Sequence, residues 1–100
     1  MNGGPLVICS DRALVMEGVA HILREAGYEV LTRRTADSCL EVIQDNKPAL
    51  VILEAPAVDK DLIRTLSDGG VVVAVLAGRE AGPALRDAYM AGARGCISLD

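Results

Sequence analysis

Short, wholly apolar runs separated by longer amphipathic stretches set the rhythm of this chain. The runs are Leu6-Val7-Ile8-Cys9, Leu50-Val51-Ile52-Leu53, Val71-Val72-Val73-Ala74-Val75-Leu76 and the brief Cys96-Ile97. Brief, aliphatic and rich in β-branched residues, they have the pattern of parallel strands buried on both faces. After the first run, Leu14, Val15, Val19, Ile22, Leu23 and Ala26 form one apolar side of a helix. Ser10 or Asp11 can cap that helix, and Gly27 is its natural stop after Ala26. Tyr28 to Thr32 reads as a second strand, with polar neighbours that suit a sheet edge. A second helix over Thr35 to Asn46 turns Ala36, Leu40 and Ile43 inward and stops at Lys47-Pro48. Ala49 to Leu53 is continuously apolar and reads as the central strand.

Beyond Glu54, Ala55-Pro56-Ala57 is expected to form a loop and Asp59 to Ser67 a short helix. Asp68-Gly69-Gly70 turns into the fourth strand, and Gly78 to Gly82 is a loop. Pro83 suits the first turn of a helix ending near Ala91, and Gly92-Ala93-Arg94-Gly95 leads into a fifth strand. Strand and helix thus alternate, with the last helix absent from the chain, which predicts an α/β domain with a doubly wound parallel sheet. Ligands of such sheets bind in the crevice beyond the carboxyl ends of the strands. Ser10, Asp11, Glu54, Ala77 and Leu99 fall there, two of them acidic and three uncharged.

Composition narrows the function classes. The 100 residues suit one domain, and 51% are hydrophobic with no Trp or Phe and two Tyr, so the core is aliphatic. A net charge of −4 without a basic patch argues against this segment gripping nucleic acid. Met1-Asn2-Gly3-Gly4-Pro5 has no positive side chain, unlike a signal peptide. No stretch approaches the roughly 18 apolar residues of a membrane span. Cys9, Cys39 and Cys96 are far apart in sequence and in no metal-ligand spacing. They read as reduced core residues of a cytoplasmic protein.

Three segments carry a family resemblance. Ser10-Asp11-Arg12-Ala13-Leu14-Val15-Met16-Glu17-Gly18 resembles the Asp-Asp-His-Pro-Leu-Val-Arg-Glu-Gly stretch of bacterial response-regulator receiver domains of the NarL/LuxR type. Lys47 to Glu54 resembles the Pro-Asp-Val-Val-Leu-Leu-Asp run that ends at the family's phosphoacceptor. Ala91 to Asp100 resembles the Ala-Gly-Ala-x-Gly-Tyr-Leu-x-Lys-Asp ending. The resemblance implies a flavodoxin-like (CheY-like) sheet of five strands in the order 2-1-3-4-5. It also implies a DNA-binding domain downstream of residues 1–100 in a longer regulator.

The departures from the pattern define the functional expectation. Of the family's adjacent acidic pair, which holds Mg²⁺, the first is Ser10 and only Asp11 remains. The phosphoacceptor position is Glu54, one methylene longer than aspartate. The switch hydroxyl is replaced by Ala77, the aromatic switch residue by Cys96 and the phosphate-pairing lysine by Leu99. Mg²⁺ favours octahedral oxygen coordination and neutralises charge in phosphoryl transfer, and this cradle has lost a carboxylate, a cation and a donor. Asp11 and Glu54 are the remaining candidate metal ligands, and Mg²⁺ binding is expected to be weak or absent.

The chain therefore reads as a degenerate receiver: a non-enzymatic, phosphorylation-independent regulatory and dimerisation domain of an atypical transcription regulator. A homodimer and a small-molecule or protein effector are the expected partners, with no membrane. The alternatives are a receiver phosphorylated in a non-standard way, a ligand sensor using the altered crevice, and a small-molecule enzyme on this fold. For Glu54, a carboxylate at a solvated strand end, paired with Arg12 or Arg79, is preferred over a phosphoaspartate mimic. His21, near the apolar side of the first helix, reads as structural or at a solvent edge, Arg33-Arg34 as a solvated loop, and Gly78 to Gly82 lacks the ending of a phosphate loop. Without a last helix, an apolar face of the fourth and fifth strands is expected to be exposed and to drive self-association.

Overall fold

The computed structural model describes residues 4–54, 60–77 and 82–98; the side chains of Ala36, Ala77, residues 82–85 and residues 96–98 lie outside that description. Strands β1 (Leu6–Cys9), β2 (Val30–Arg33), β3 (Leu50–Glu54), β4 (Val73–Ala77) and β5 (Gly95–Ser98) alternate with helices. The helices are α1 (Ala13–Glu25), α2 (Ala36–Asn46), α3 (Lys60–Asp68) and α4 (Gly82–Ala91). The strands pair in parallel in the order β2-β1-β3-β4-β5. This is an α/β, flavodoxin-like fold. The apolar β3 takes the middle of the sheet and the more polar β2 an edge.

Alternation along the strands divides the core in two. Leu6, Ile8, Ile52 and Leu76 pack with Val30 and with Met16 and Ala20 of α1. Val7, Val51, Leu53, Val73 and Val75 pack on the other side with Cys39 and Val42 of α2, Ile63 and Leu66 of α3, and Ala88 and Ala91 of α4. Full burial of a side chain such as Ile63 or Leu76 contributes about 1.5–3 kcal/mol relative to exposure. The expected bare face is corrected at β4, where Leu76 is fully buried and Ala74 is 8% exposed.

Helix α1 packs Val15, Val19 and Leu23 of its expected side against the core, but the stripe is rotated from the one expected. Met16 and Ala20 are its buried residues, while Leu14 and Ile22 are 91% and 68% exposed and Ala26 faces solvent. With about 100° between successive residues, a stripe centred on Met16 and Ala20 leaves Leu14 and Ile22 on the far side. Ser10 does not cap α1; the N-cap is Arg12, which makes no side-chain cap hydrogen bond. The α2 start does carry a cap, Thr35 Oγ1 accepting from the Ser38 N–H at 3.1 Å.

Two backbone features fix the turns. Lys47 closes α2 in a left-handed conformation, φ 47°. Gly92 has φ +125°, and a Cβ there would lie 2.5 Å from Ser67 Oγ. The turn from α4 into β5 therefore lies hard against α3 at a position where only glycine fits.

Candidate functional site

The carboxyl ends of β1 and β3 are neighbours because Cys9 pairs with Leu53 in register. One residue further on, Ser10 and Glu54 meet, and each is only 2% exposed. Ser10 Oγ donates a hydrogen bond to Glu54 Oε1 and accepts one from the Arg12 N–H at 3.0 Å. The Ser10 N–H in turn donates to the Arg33 carbonyl at 3.1 Å. Arg12 turns its guanidinium back over the pair, with Nη1 3.0 Å from Glu54 Oε2. That contact is an ion pair without an aligned hydrogen bond, since Oε2 has no hydrogen-bond partner.

Glu54 is thus buried rather than at a solvated strand end, which corrects that expectation. Arg12 is its cationic partner; Arg79 lies outside the described residues. Ser10 likewise serves a different purpose from helix capping. Its hydroxyl is a two-way bridge from the backbone at the start of α1 to a buried carboxyl on β3. No feature of spacing announces this bridge, because it needs the β1–β3 register to bring positions 10 and 54 together.

Of the other expected site residues, Asp11 does not join the cluster. Asp11 is exposed, and its backbone carbonyl accepts from Arg34 Nη2 at 3.3 Å. Ala77 ends β4 opposite Ser98, and Cys96 stands opposite Val75, but their side chains lie outside the described residues. Leu99 lies outside them altogether. Arg33 is the last residue of β2 rather than part of a loop, half-buried and bonded to the Thr32 carbonyl. His21 is exposed on α1.

The donor set does not fit the Mg²⁺ that the family resemblance implies. Glu54 presents one oxygen to a hydroxyl donor and the other to a guanidinium, while Asp11 is exposed. No group of three or more His, Cys, Asp and Glu among the described residues could hold a metal ion. A fixed positive charge 3.0 Å from Oε2 repels a divalent cation from the oxygen it would need.

A second cluster lies beside the first. Cys9 Sγ donates to the Thr35 carbonyl at 3.7 Å, and the Cys39 N–H donates to that same carbonyl at 3.0 Å. A hydrogen bond from the Cys39 thiol holds the Cys9 pKa below its ordinary value, against burial and the charge of Asp11. The same bond, followed by burial, pushes the Cys39 pKa up. Both thiols are free and belong to the core around α2 and β1, in line with their reading as reduced core residues.

No protein-family model matches the chain, and no curated protein matches it by sequence. Solved structures do. NtrX from Brucella abortus, in a complex with ADP, superposes with a TM-score of 0.88 at 25% identity, over 98% of this chain and 23% of that one. The receiver domain of NtrX from Brucella abortus gives 0.86 at 25% identity, over 94% of this chain and 84% of that one. A receiver domain from Clostridium thermocellum gives 0.83 at 20% identity, over 95% and 81%, a likeness of fold alone. The structural neighbours are response-regulator receiver domains, and these likenesses support the reading of this chain as one. It spans about a quarter of the longer NtrX chain.

Proposed function

We propose that this chain is a degenerate receiver that regulates without aspartyl phosphorylation. The observation that carries this reading is the internal pairing of Glu54. Its oxygens face Ser10 and Arg12 within the protein, and the residue is 2% exposed. A phosphoacceptor must present a carboxylate oxygen to an incoming phosphoryl group in line with its leaving group, beside cations that stabilise the transferring charge. Among the described residues, Arg12 is the cation paired with Glu54, and it faces the ground-state carboxylate.

The module acts as the regulatory and dimerisation part of a transcription regulator of the NarL/LuxR type. It is a binding domain rather than an enzyme, it works in the cytoplasm, and DNA is contacted by a separate domain. Its input is a small-molecule or protein effector in place of the phosphoryl group. Such an input controls the regulator only if it binds two states of the domain unequally. No helix among the described residues is long and apolar enough to cross a membrane.

Incubation with acetyl phosphate and Mg²⁺, followed by intact mass, tests the reading. The expected result is an unchanged mass, for the parent and for Glu54→Gln alike. A gain of one phosphoryl group in the parent, lost in Glu54→Gln, would overturn it. Sedimentation velocity is expected to show a dimer, and a strict monomer at all concentrations would remove the dimerisation role.

A further inference from the structure

Strand β2 is outermost in the sheet and, among the described residues, pairs with β1 alone. The Glu29 and Arg33 carbonyls face β1, where they accept from the Leu6 and Ser10 N–H groups at 2.9 and 3.1 Å. Backbone groups alternate in direction along a strand, so those of Val30 and Thr32 point the other way, out of the sheet. Both of these outward carbonyls are occupied by guanidiniums. Arg24 Nη2, from α1, donates to the Val30 carbonyl at 2.8 Å, and Arg33 Nη1 folds back onto the Thr32 carbonyl at 2.6 Å. The placement of Arg24 follows from packing. Val30 lies against Ala20, one turn before Arg24 on α1, so the longer side chain reaches past the end of the sheet.

We propose that Arg24 and Arg33 guard the β2 edge against antiparallel pairing with the same edge of a second copy of this chain. An open strand edge is a template for another strand, and every copy carries an identical one. A two-fold axis beside Leu31 sets Val30 of each copy opposite Thr32 of the other, and Leu31 opposite Leu31. Val30 and Thr32 would then exchange N–H and carbonyl bonds in two hydrogen-bonded pairs flanking the leucines. Val30 and Thr32 are both β-branched, which suits a strand. The same axis sets Glu29 opposite Arg33, so charge along the two strands favours this register. The edge thus fits its own copy, once its carbonyls are free.

The guanidiniums oppose that fit in two ways. A hydrogen bond from a charged donor is stronger than the neutral backbone bond that pairing would put in its place. Paired strands also lie only about 4.8 Å apart, which leaves no room for a side chain seated on the carbonyls between them. Pairing therefore has to expel Arg24 and Arg33 before it gains any bond of its own. Glu17 helps to retain Arg24, with its carboxylate 3.9 Å from Nη1. The inference does not rest on the dimerisation reading, because a dimer formed through another face leaves this edge unchanged.

The test compares the whole chain with the double variant Arg24→Ala, Arg33→Thr, by sedimentation velocity and by amide hydrogen exchange read residue by residue. The double variant is expected to form a larger species than the parent as concentration rises. In that species the Val30 and Thr32 amides should exchange roughly tenfold more slowly or better, because they have become inter-strand donors. Arg33→Thr alone, which leaves α1 untouched, should do the same to a smaller extent. In the parent the two amides should exchange at one rate at every concentration, whatever its oligomeric state. A folded variant that sediments as the parent does would overturn the proposal. Growth of the variant with Val30 and Thr32 exchange unchanged would place the contact elsewhere and overturn it too. Slowing of those two amides with concentration in the parent would show an unguarded edge, a result that requires no variant to fold.

Discussion

Deleting the Ser10 hydroxyl would leave Glu54 Oε1 enclosed without the donor it now has. An unsatisfied buried acceptor costs about 1–3 kcal/mol, so Ser10→Ala is expected to lower stability by that amount in urea titration. Arg12 is different, because its side chain is 59% exposed. Arg12→Ala should therefore cost less than Ser10→Ala, even though it removes the charge partner. The cysteines give a pH signature of their own. Cys9, lowered in the fold, contributes stability that is full above the ordinary thiol value of 9.0 and fades as pH falls through its folded value. Cys39, raised, contributes stability that is full below 9.0 and fades as pH rises through its folded value. The stability difference between parent and Cys9→Ser should thus grow as pH rises towards 9.0 in thermal melts. A flat difference would contradict the Cys9–Cys39 hydrogen bond. At this scale the sequence discloses which residue types stand where the family resemblance expects a phosphate-handling set, since identity alone decides that. It does not disclose that Ser10 and Glu54 bond, or that the Cys9 thiol reaches the Thr35 carbonyl, because contact depends on register and helix packing.

Elements were more legible than contacts. The apolar runs ending at Cys9 and Leu53 became β1 and most of β3, since full burial on both faces leaves no other reading. Gly27 marked a helix end by its local chemistry and sits at φ +99°, whereas Thr35, read as the first helical residue, is the cap of α2. Helix α1 was less clear, for apolar residues occur around much of its circumference and the sheet selects only one stripe. That selection is testable. Met16→Ala removes a buried side chain and should cost about 2–5 kcal/mol. Leu14→Ser, at a position 91% exposed, should change stability by no more than about 0.5 kcal/mol. Equal losses from the two would show that α1 packs through the other stripe. Gly92→Ala should also destabilise, because it combines a positive φ with a collision against Ser67.

At the scale of the molecule, a receiver-like fold carries Glu54 in an internal pair with Ser10 and Arg12 at the carboxyl end of β3. The fold needs only aliphatic strands, amphipathic helices and well-placed glycines, so it does not depend on which charged groups stand at the strand ends. Restoring the family's residues together, through Ser10→Asp, Glu54→Asp, Ala77→Thr and Leu99→Lys, is expected to give a domain that gains one phosphoryl mass from acetyl phosphate. Failure of that fourfold variant, if it remains folded, would show that more than these positions has changed. The central claim, that Ser10 and Arg12 hold Glu54 away from phosphate chemistry, is tested most directly by amide chemical shifts during titration with Mg²⁺ and beryllofluoride. The account predicts no shift at Ser10, Asp11, Arg12 or Glu54 beyond what the same ionic strength of NaCl produces. Saturable shifts centred on those four residues would contradict it.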